Sequence, residues 1–391
     1  MVNSGPAVER AADRRARRRG LAAAIACISI YAVTTGLALP LLSLILDARG
    51  VSGSVIGLLA AVPSVAMLLA SPWIPALIKR LDLRGFLLAC IALDLGLFLL
   101  LPIFDGIVEW FVIRFFMGGT VAGLFVASEV WINQLASERV RGRVTGLYAT
   151  AVAGGFALGP AVIPLTGIAG WPPFVVGAVC IAAAAVPVLV AGNDAPIVVG
   201  RASFSVMSFV FVAPVLAAAV LLAAYKDTAE MALLPVYGVR LGMNEGRAAL
   251  MATAIGVGAL LFQLPIGWLA DHMDRYRVLI LCAASGALGA ALLPFAIAHG
   301  VWLWALLVVW GGMLAGVYTV AMTLVGARFR GADLVTASSA FGLLWGVGSL
   351  LGPASAGLAM DTWDPHGFAA TLAAVCALFV VLVMVRRLSR A

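Results

Sequence analysis

A chain of 391 residues that is 63% hydrophobic and 11% charged lies far from soluble domains, which run at about 45–50% apolar and about 25% charged. Its mean hydropathy of +1.10 means more apolar surface than a water-soluble core could hide, so lipid must solvate much of it. Long unbroken apolar runs exclude an outer-membrane barrel, whose strands alternate over about ten residues, and the net charge of +7 is explained below by topology without nucleic acid.

The chain opens with a basic segment, residues 1–20, expected as a cytoplasmic tail. The apolar run behind it is longer than the 7–15 residues of a signal-peptide core, and no small-residue cleavage site stands out, so it reads as the first span. A membrane helix needs about 20 apolar residues. Cutting at the polar breaks predicts twelve such helices, at 21–46, 54–78, 84–103, 107–135, 143–167, 172–191, 212–238, 246–270, 277–297, 301–326, 334–358 and 366–385. The longest stretch between spans, within residues 192–211, is the expected cytoplasmic linker. It separates a bundle at 21–191 from a bundle at 212–386, and residues 387–391 are a second cytoplasmic tail.

Lys and Arg set the orientation. With the N-terminus inside, only Arg49, Arg240 and Arg247 of the 25 basic residues fall outside, and only Arg114 and Lys226 fall within spans. Both termini are therefore expected in the cytoplasm, and the positive balance is a topology signal. Trp110, Trp171, Trp302, Trp304 and Trp363 fall near the outer ends, where an aromatic belt is expected. The five cysteines each stand alone in an apolar run without metal-ligand spacing, the usual pattern of small core residues. No catalytic constellation, metal cluster or phosphate loop is visible, so neither an enzyme nor a cofactor is expected.

The halves repeat at a shift of 193 residues: "GGFALGPA" at Gly154 aligns with "VGSLLGPA" at Val347. In this frame Gly155 meets Gly348, Gly159 meets Gly352, Pro160 meets Pro353, Gly123 meets Gly316 and Arg84 meets Arg277. Two parallel six-helix repeats are an organisation found in transporters with a site between the halves. "GWLADHMDRYRVL", from Gly267 to Leu279, resembles the loop signature of the major facilitator superfamily, while the matching stretch from Ser71 to Gly85 lacks its glycine and aspartate. "SEVWINQLASERVRGRVTGLYA", "VYTVAMTLVGARF" and "GSLLGPASAGL" are similar to the YcaD-like bacterial branch. The resemblance implies an all-α integral membrane protein of twelve helices in two pseudo-symmetric bundles. It also implies a latch of Gly267, Asp271, Arg275 and Arg277, with Gly267 allowing helices to approach and Asp271 bonding a helix N-terminus or Arg275.

"RFFMGGTVAG", beginning at Arg114, resembles the fourth-helix motif of proton-coupled members. An Arg within a span is costly and needs a cavity or a counter-charge, for which Asp94 in the third helix is the candidate. The pair reads either as a proton relay or as glue between two helices. "GGFALGP" resembles the antiporter motif of drug exporters, but the eleventh helix has its own copy. Gly155, Gly159, Pro160, Gly348, Gly352 and Pro353 therefore also read as close helix packing. Glu129 and Asn133 share a face at i, i+4, either lining an inward cavity or bonded to loop arginines. Tyr31, Gln263 and Tyr318 are further polar groups in spans.

"YKDTAE", from Tyr225 to Glu230, places three charges near the middle of the seventh helix. Lys226 and Glu230 share a face and can pair, while Asp227 is turned about 100° away. The odd charge needs water or another partner, so the three read as a cavity cluster. The expectation is a monomeric, proton-coupled secondary transporter of a bacterial inner membrane, its partners a small-molecule substrate, protons and the lipid bilayer. The motifs lean towards efflux of amphipathic or drug-like compounds. The basic groups in the bundle lean instead towards uptake of an organic anion, and a non-transporting membrane sensor is the alternative of another class.

Overall fold

Charges that interrupt the hydropathy pattern do not interrupt the helices. The computed structural model describes residues 6–135, 141–191, 210, 212–328 and 332–388, and all the regular structure there is helical. Twelve long helices follow in order: α1 (Pro6–Ala48), α2 (Gly53–Ala70), α3 (Ile74–Leu100), α4 (Ile107–Leu135), α5 (Arg141–Leu158) and α6 (Pro172–Ala191) in the first half. The second half has α7 (Pro214–Arg240), α8 (Glu245–His272), α9 (Arg275–Ala296), α10 (Gly300–Arg328), α11 (Ala332–Thr362) and α12 (Gly367–Leu388). Eleven of them are long and apolar enough to cross a membrane. The exception is α7, whose apolar length is interrupted by Lys226, Asp227 and Glu230.

Three boundaries differ from expectation. The basic N-terminal segment is helical from Pro6 and continuous with the first span. Arg17 donates to the carbonyl of Leu135, at the end of α4, where helices leave carbonyls unsatisfied. The second span ends at Ala70, because the chain turns at Ser71–Trp73 and restarts with Pro75 in the first turn of α3, a position where proline's missing N–H costs nothing. Within α3, Asp82 adopts φ 58° and its side chain accepts from the Gly85 amide at 2.6 Å, so the helix kinks there. Gly159 and Pro160 end α5, and a 3₁₀ turn (Pro160–Val162) and a helical turn (Ile163–Thr166) carry the chain on. The linker, apart from residue 210, lies outside the described residues, as do residues 389–391.

The repeat seen in the sequence is also a repeat of contacts. A Cβ on Gly155 would lie 2.5 Å from the Ser29 carbonyl, and one on Gly348 would lie 2.5 Å from that of Leu221. One on Gly159 would strike the backbone at Gly36 and Leu37, and one on Gly352 would strike Tyr225. So α5 packs on α1 as α11 packs on α7, backbone against backbone, which only glycine permits. Gly118 meets Pro63 and Gly311 meets Ile255 in the same way. Outward faces carry large apolar side chains, such as Leu165 at 86% and Leu264 at 83% exposed, which suit lipid. Of the expected belt, Trp171, Trp302 and Trp363 are exposed. Trp110 is instead buried, its Nε1 donating to Leu101 and Phe104 carbonyls under the Arg49 guanidinium, so it is a core residue.

The halves meet along α2 and α11, α5 and α8, and α1 and α7. Their tightest seam lies at the end of the bundle far from the termini, called here the distal end. There a Cβ on Gly57 would sit 2.0 Å from the Pro353 carbonyl, and one on Gly357 would sit 2.2 Å from that of Gly53.

Candidate functional site

Polar side chains across the distal seam tie the halves together. Asp361, at the end of α11, accepts from the Gly53 and Ser54 amides at 2.6 and 2.8 Å. It thereby caps the N-terminus of α2, an end with orphan donors and a positive dipole. Arg240 bridges Asp47 of the first half at 2.9 Å and Asp364 of the second at 2.6 Å. Sequence reasoning missed both devices, because partners 193 and 308 residues apart leave no local signal.

Inside the first half, Asp94 is 1% exposed. It accepts from the Tyr31 hydroxyl at 2.8 Å and the Thr120 hydroxyl at 2.6 Å. Arg114 is buried in the same half and lies within electrostatic range of Asp94, but the two form no ion pair. The aspartate's nearest partners are hydroxyls, since α4 presents Thr120 as well as Arg114. Thr120 lies inside the motif that singled out Arg114, so a signal for it was present.

On α7, Lys226 reaches both neighbouring carboxylates, Asp227 at 2.5 Å and Glu230 at 3.6 Å. The expected i, i+4 pair is thus the looser of the two. Lys226 and Glu230 are buried, at 2% and 3%, while the Asp227 side chain is 44% exposed. Neither Glu230 oxygen makes a hydrogen bond. Cys376 of α12 lies in electrostatic range of Lys226 and Glu230, which places this pair inside the second half.

A second acidic group stands in the first half. Glu129 on α4 is exposed and in electrostatic range of Tyr148 on α5 and Tyr318 on α10. Tyr318 is also in range of Asp227, so one tyrosine stands between carboxylates from the two halves. Its ring packs on Trp345 at 5.3 Å and Phe341 at 6.4 Å. The Tyr148 hydroxyl is buried and makes no hydrogen bond. Tyr148 was not expected, since a tyrosine one turn beyond a charged loop looks like an interface anchor. Gln263 is half-buried on α8. The side chain of Asn133 lies outside the described residues.

The latch looks different from its sequence signature. Asp271 is exposed and makes no ion pair or hydrogen bond among the described residues. Asp274 caps α9 instead, accepting from the Arg277 amide at 2.9 Å and pairing with Arg387 at 3.6 Å. The reason is register: α8 runs to His272 and leaves Asp271 in its last turn, while Asp274 falls at the N-cap of α9. Arg275 donates to the Thr323 carbonyl at 3.4 Å. A Cβ on Gly267 would meet nothing within 4 Å, so no helix approaches it with the distal end closed. No group of three His, Cys, Asp or Glu side chains among the described residues could hold a metal.

Residues 21–244 and 202–390 match the description of the Major Facilitator Superfamily. The chain belongs to the major facilitator superfamily. It is a multi-pass transporter of the facilitator fold, and the family's members act by moving solutes rather than by catalysing reactions. It is 27% identical over 357 residues to the "Uncharacterized MFS-type transporter YfkF" of Bacillus subtilis (strain 168), covering 86% of this chain and 88% of that one. The solved nucleoside transporter NupG superposes with a TM-score of 0.74 at 14% identity, over 95% of this chain and 98% of NupG. A bacterial homologue of the human lysosomal transporter Spinster, inward-facing and unoccupied, gives 0.75 at 15% identity over 94% and 95%. At these identities the two structures establish the facilitator fold alone.

Proposed function

We propose that this facilitator is a proton-coupled secondary transporter of the YcaD-like branch. It acts as a monomer in a bacterial inner membrane, with both termini cytoplasmic, and exports amphipathic, drug-like compounds by alternating access. One observation carries the reading: the halves are sealed at the distal end by Asp361 and Arg240, while Asp227 at mid-helix remains open. With the termini inside, the distal end is the outer one and the conformation is inward-facing. Breaking that seam and closing the opposite end would then present the same group to the outside.

Proton coupling is supported by charge balance on α7. Lys226 serves two carboxylates, which leaves one negative charge for a proton or a substrate to offset. If a proton and the substrate do so in alternation, their movements are linked. Uptake of an organic anion is less well supported, since Arg114 and Lys226, the basic groups within spans, are 5% and 2% exposed.

The test is transport by purified protein in proteoliposomes, with ethidium and rhodamine 6G as probes. Both should show counterflow, and an imposed pH gradient should drive accumulation. Asp227→Asn should lose the gradient-driven component and keep probe-for-probe exchange at saturating probe. Counterflow without any response to the gradient in the native protein would sink the coupling, and no counterflow of either probe would sink the export reading.

A further inference from the structure

Four groups lie along one path from the end that bears the termini to the middle of the bundle. At 1.5 Å per residue, Glu129 is about 9 Å from the end of α4 and Tyr148 about 10 Å from the start of α5. Tyr318 is about 15 Å from the end of α10 and Asp227 about 20 Å from the start of α7. We infer that this path is a binding site for an aromatic organic cation, held by Glu129 and Asp227 against Tyr148, Tyr318 and Trp345. The inference rests on the export reading above and names its substrate class.

Charge is the first argument. Of the ionisable groups just described at depth, the two that are open are both carboxylates. The two basic groups are buried, Lys226 against its own carboxylates and Arg114 inside the first half. An organic anion entering here would meet Glu129 and Asp227 before any cation. A cationic ligand would offset the negative charge that Lys226 leaves over.

Chemistry of the walls is the second argument, and it is independent of charge. Tyr148 is only 9% exposed, yet its hydroxyl makes no hydrogen bond and lies in range of Glu129 and Tyr318. A buried hydroxyl without a partner is unusual, and a ligand group in this space would satisfy it. Tyr318 and Trp345 pack edge to face at 76°, so they do not stack face on face. A cation near an aromatic face gains about 0.5–2 kcal/mol, more as the site is desolvated. The repeat equivalent of Tyr318 is Phe125 at the shift of 193, and it stacks on Phe156 at 6.4 Å. Only Tyr318 of this matched pair is shown with carboxylates in range, Glu129 and Asp227.

The experiment is equilibrium binding to the purified full-length protein in detergent, with labelled tetraphenylphosphonium and labelled tetraphenylborate. These carry the same four phenyl rings and opposite charges. The cation should bind saturably and at least about ten-fold more tightly than the anion. Glu129→Gln and Asp227→Asn should each weaken the cation about ten-fold, and Tyr148→Phe, which keeps the ring and removes only a hydroxyl that this ion cannot bond, should leave its affinity near the native value. Variants are compared only where their thermal unfolding matches the native protein, and the comparison of the two ions needs no variant. Equal or tighter binding of tetraphenylborate, or no saturable binding of the cation, would overturn the inference. So would unchanged cation affinity in both carboxylate variants. Cation binding without counterflow in proteoliposomes would instead defeat the export reading and leave this site standing. Counterflow of ethidium together with unchanged cation affinity in both carboxylate variants would do the reverse.

Discussion

Replacing Gly57 by alanine should push the transporter away from the state described here. The added Cβ would stand 2.0 Å from the Pro353 carbonyl oxygen, whereas carbon and oxygen normally approach to about 3.3–3.6 Å. Helices α2 and α11 would have to part by about 1.3 Å or more, because the obstacle is backbone and no rotamer change removes it. Overpacking of this kind costs about 1–3 kcal/mol. The cost falls only on the state in which the halves touch here, since α2 alone gains from Gly→Ala by about 1 kcal/mol in helix propensity. The balance between distally closed and distally open states should therefore shift about 5–150-fold. Spin labels on Ile103→Cys and Val301→Cys, both exposed near the distal end, report the separation of the halves by electron–electron distance measurement. The long-distance population should grow in Gly57→Ala and stay unchanged in Gly119→Ala, where an added Cβ meets nothing within 4 Å. An unchanged distribution in Gly57→Ala would refute the idea that this seam holds the distal gate.

Further outcomes follow from the same geometry. Asp361→Ala removes a helix cap that acts across the halves and should open the distal end about five-fold, for about 1 kcal/mol; the same label pair measures it, and no change would argue against the cap. Tyr31→Phe should lower thermal stability by about 1 kcal/mol, the net worth of one hydrogen bond to Asp94. Asp94→Ala should cost more, by stranding the buried Tyr31 hydroxyl and the charge of Arg114 while Thr120 keeps the Met117 carbonyl, and equal melting shifts would dissociate the group. Gly352→Ala, with its Cβ 2.1 Å from the Tyr225 carbonyl, should destabilise the second half in every conformation and reduce folded yield, which size-exclusion chromatography reads. Asp271→Asn should leave the distal distances unchanged, because Asp271 makes no hydrogen bond or ion pair among the described residues, and should slow turnover only if the latch engages in the opposite state. Full turnover would leave the loop signature without a latch role.

The number of helices and the two-fold repeat were legible in the sequence because their causes are local or additive. Hydrophobicity over about 20 residues decides whether a segment prefers lipid. The glycine pairs also showed, since close packing of helices in lipid selects small residues at fixed spacing. Side-chain partners were a different matter. Helical period placed Lys226 beside Glu230, but a flexible lysine in the folded bundle lies closer to Asp227. Asp94 found Tyr31, 63 residues away, and Thr120, because the rotation of α1, α3 and α4 about their own axes sets which groups meet. The choice of Asp274 over Asp271 as the cap of α9 turned on where α8 ends, a matter of one helical turn. The distal seam depends on contacts between Gly53 and Asp361, which exist only when two independently packed bundles are docked. Such contacts belong to one state of the pair, so no property of either segment alone encodes them.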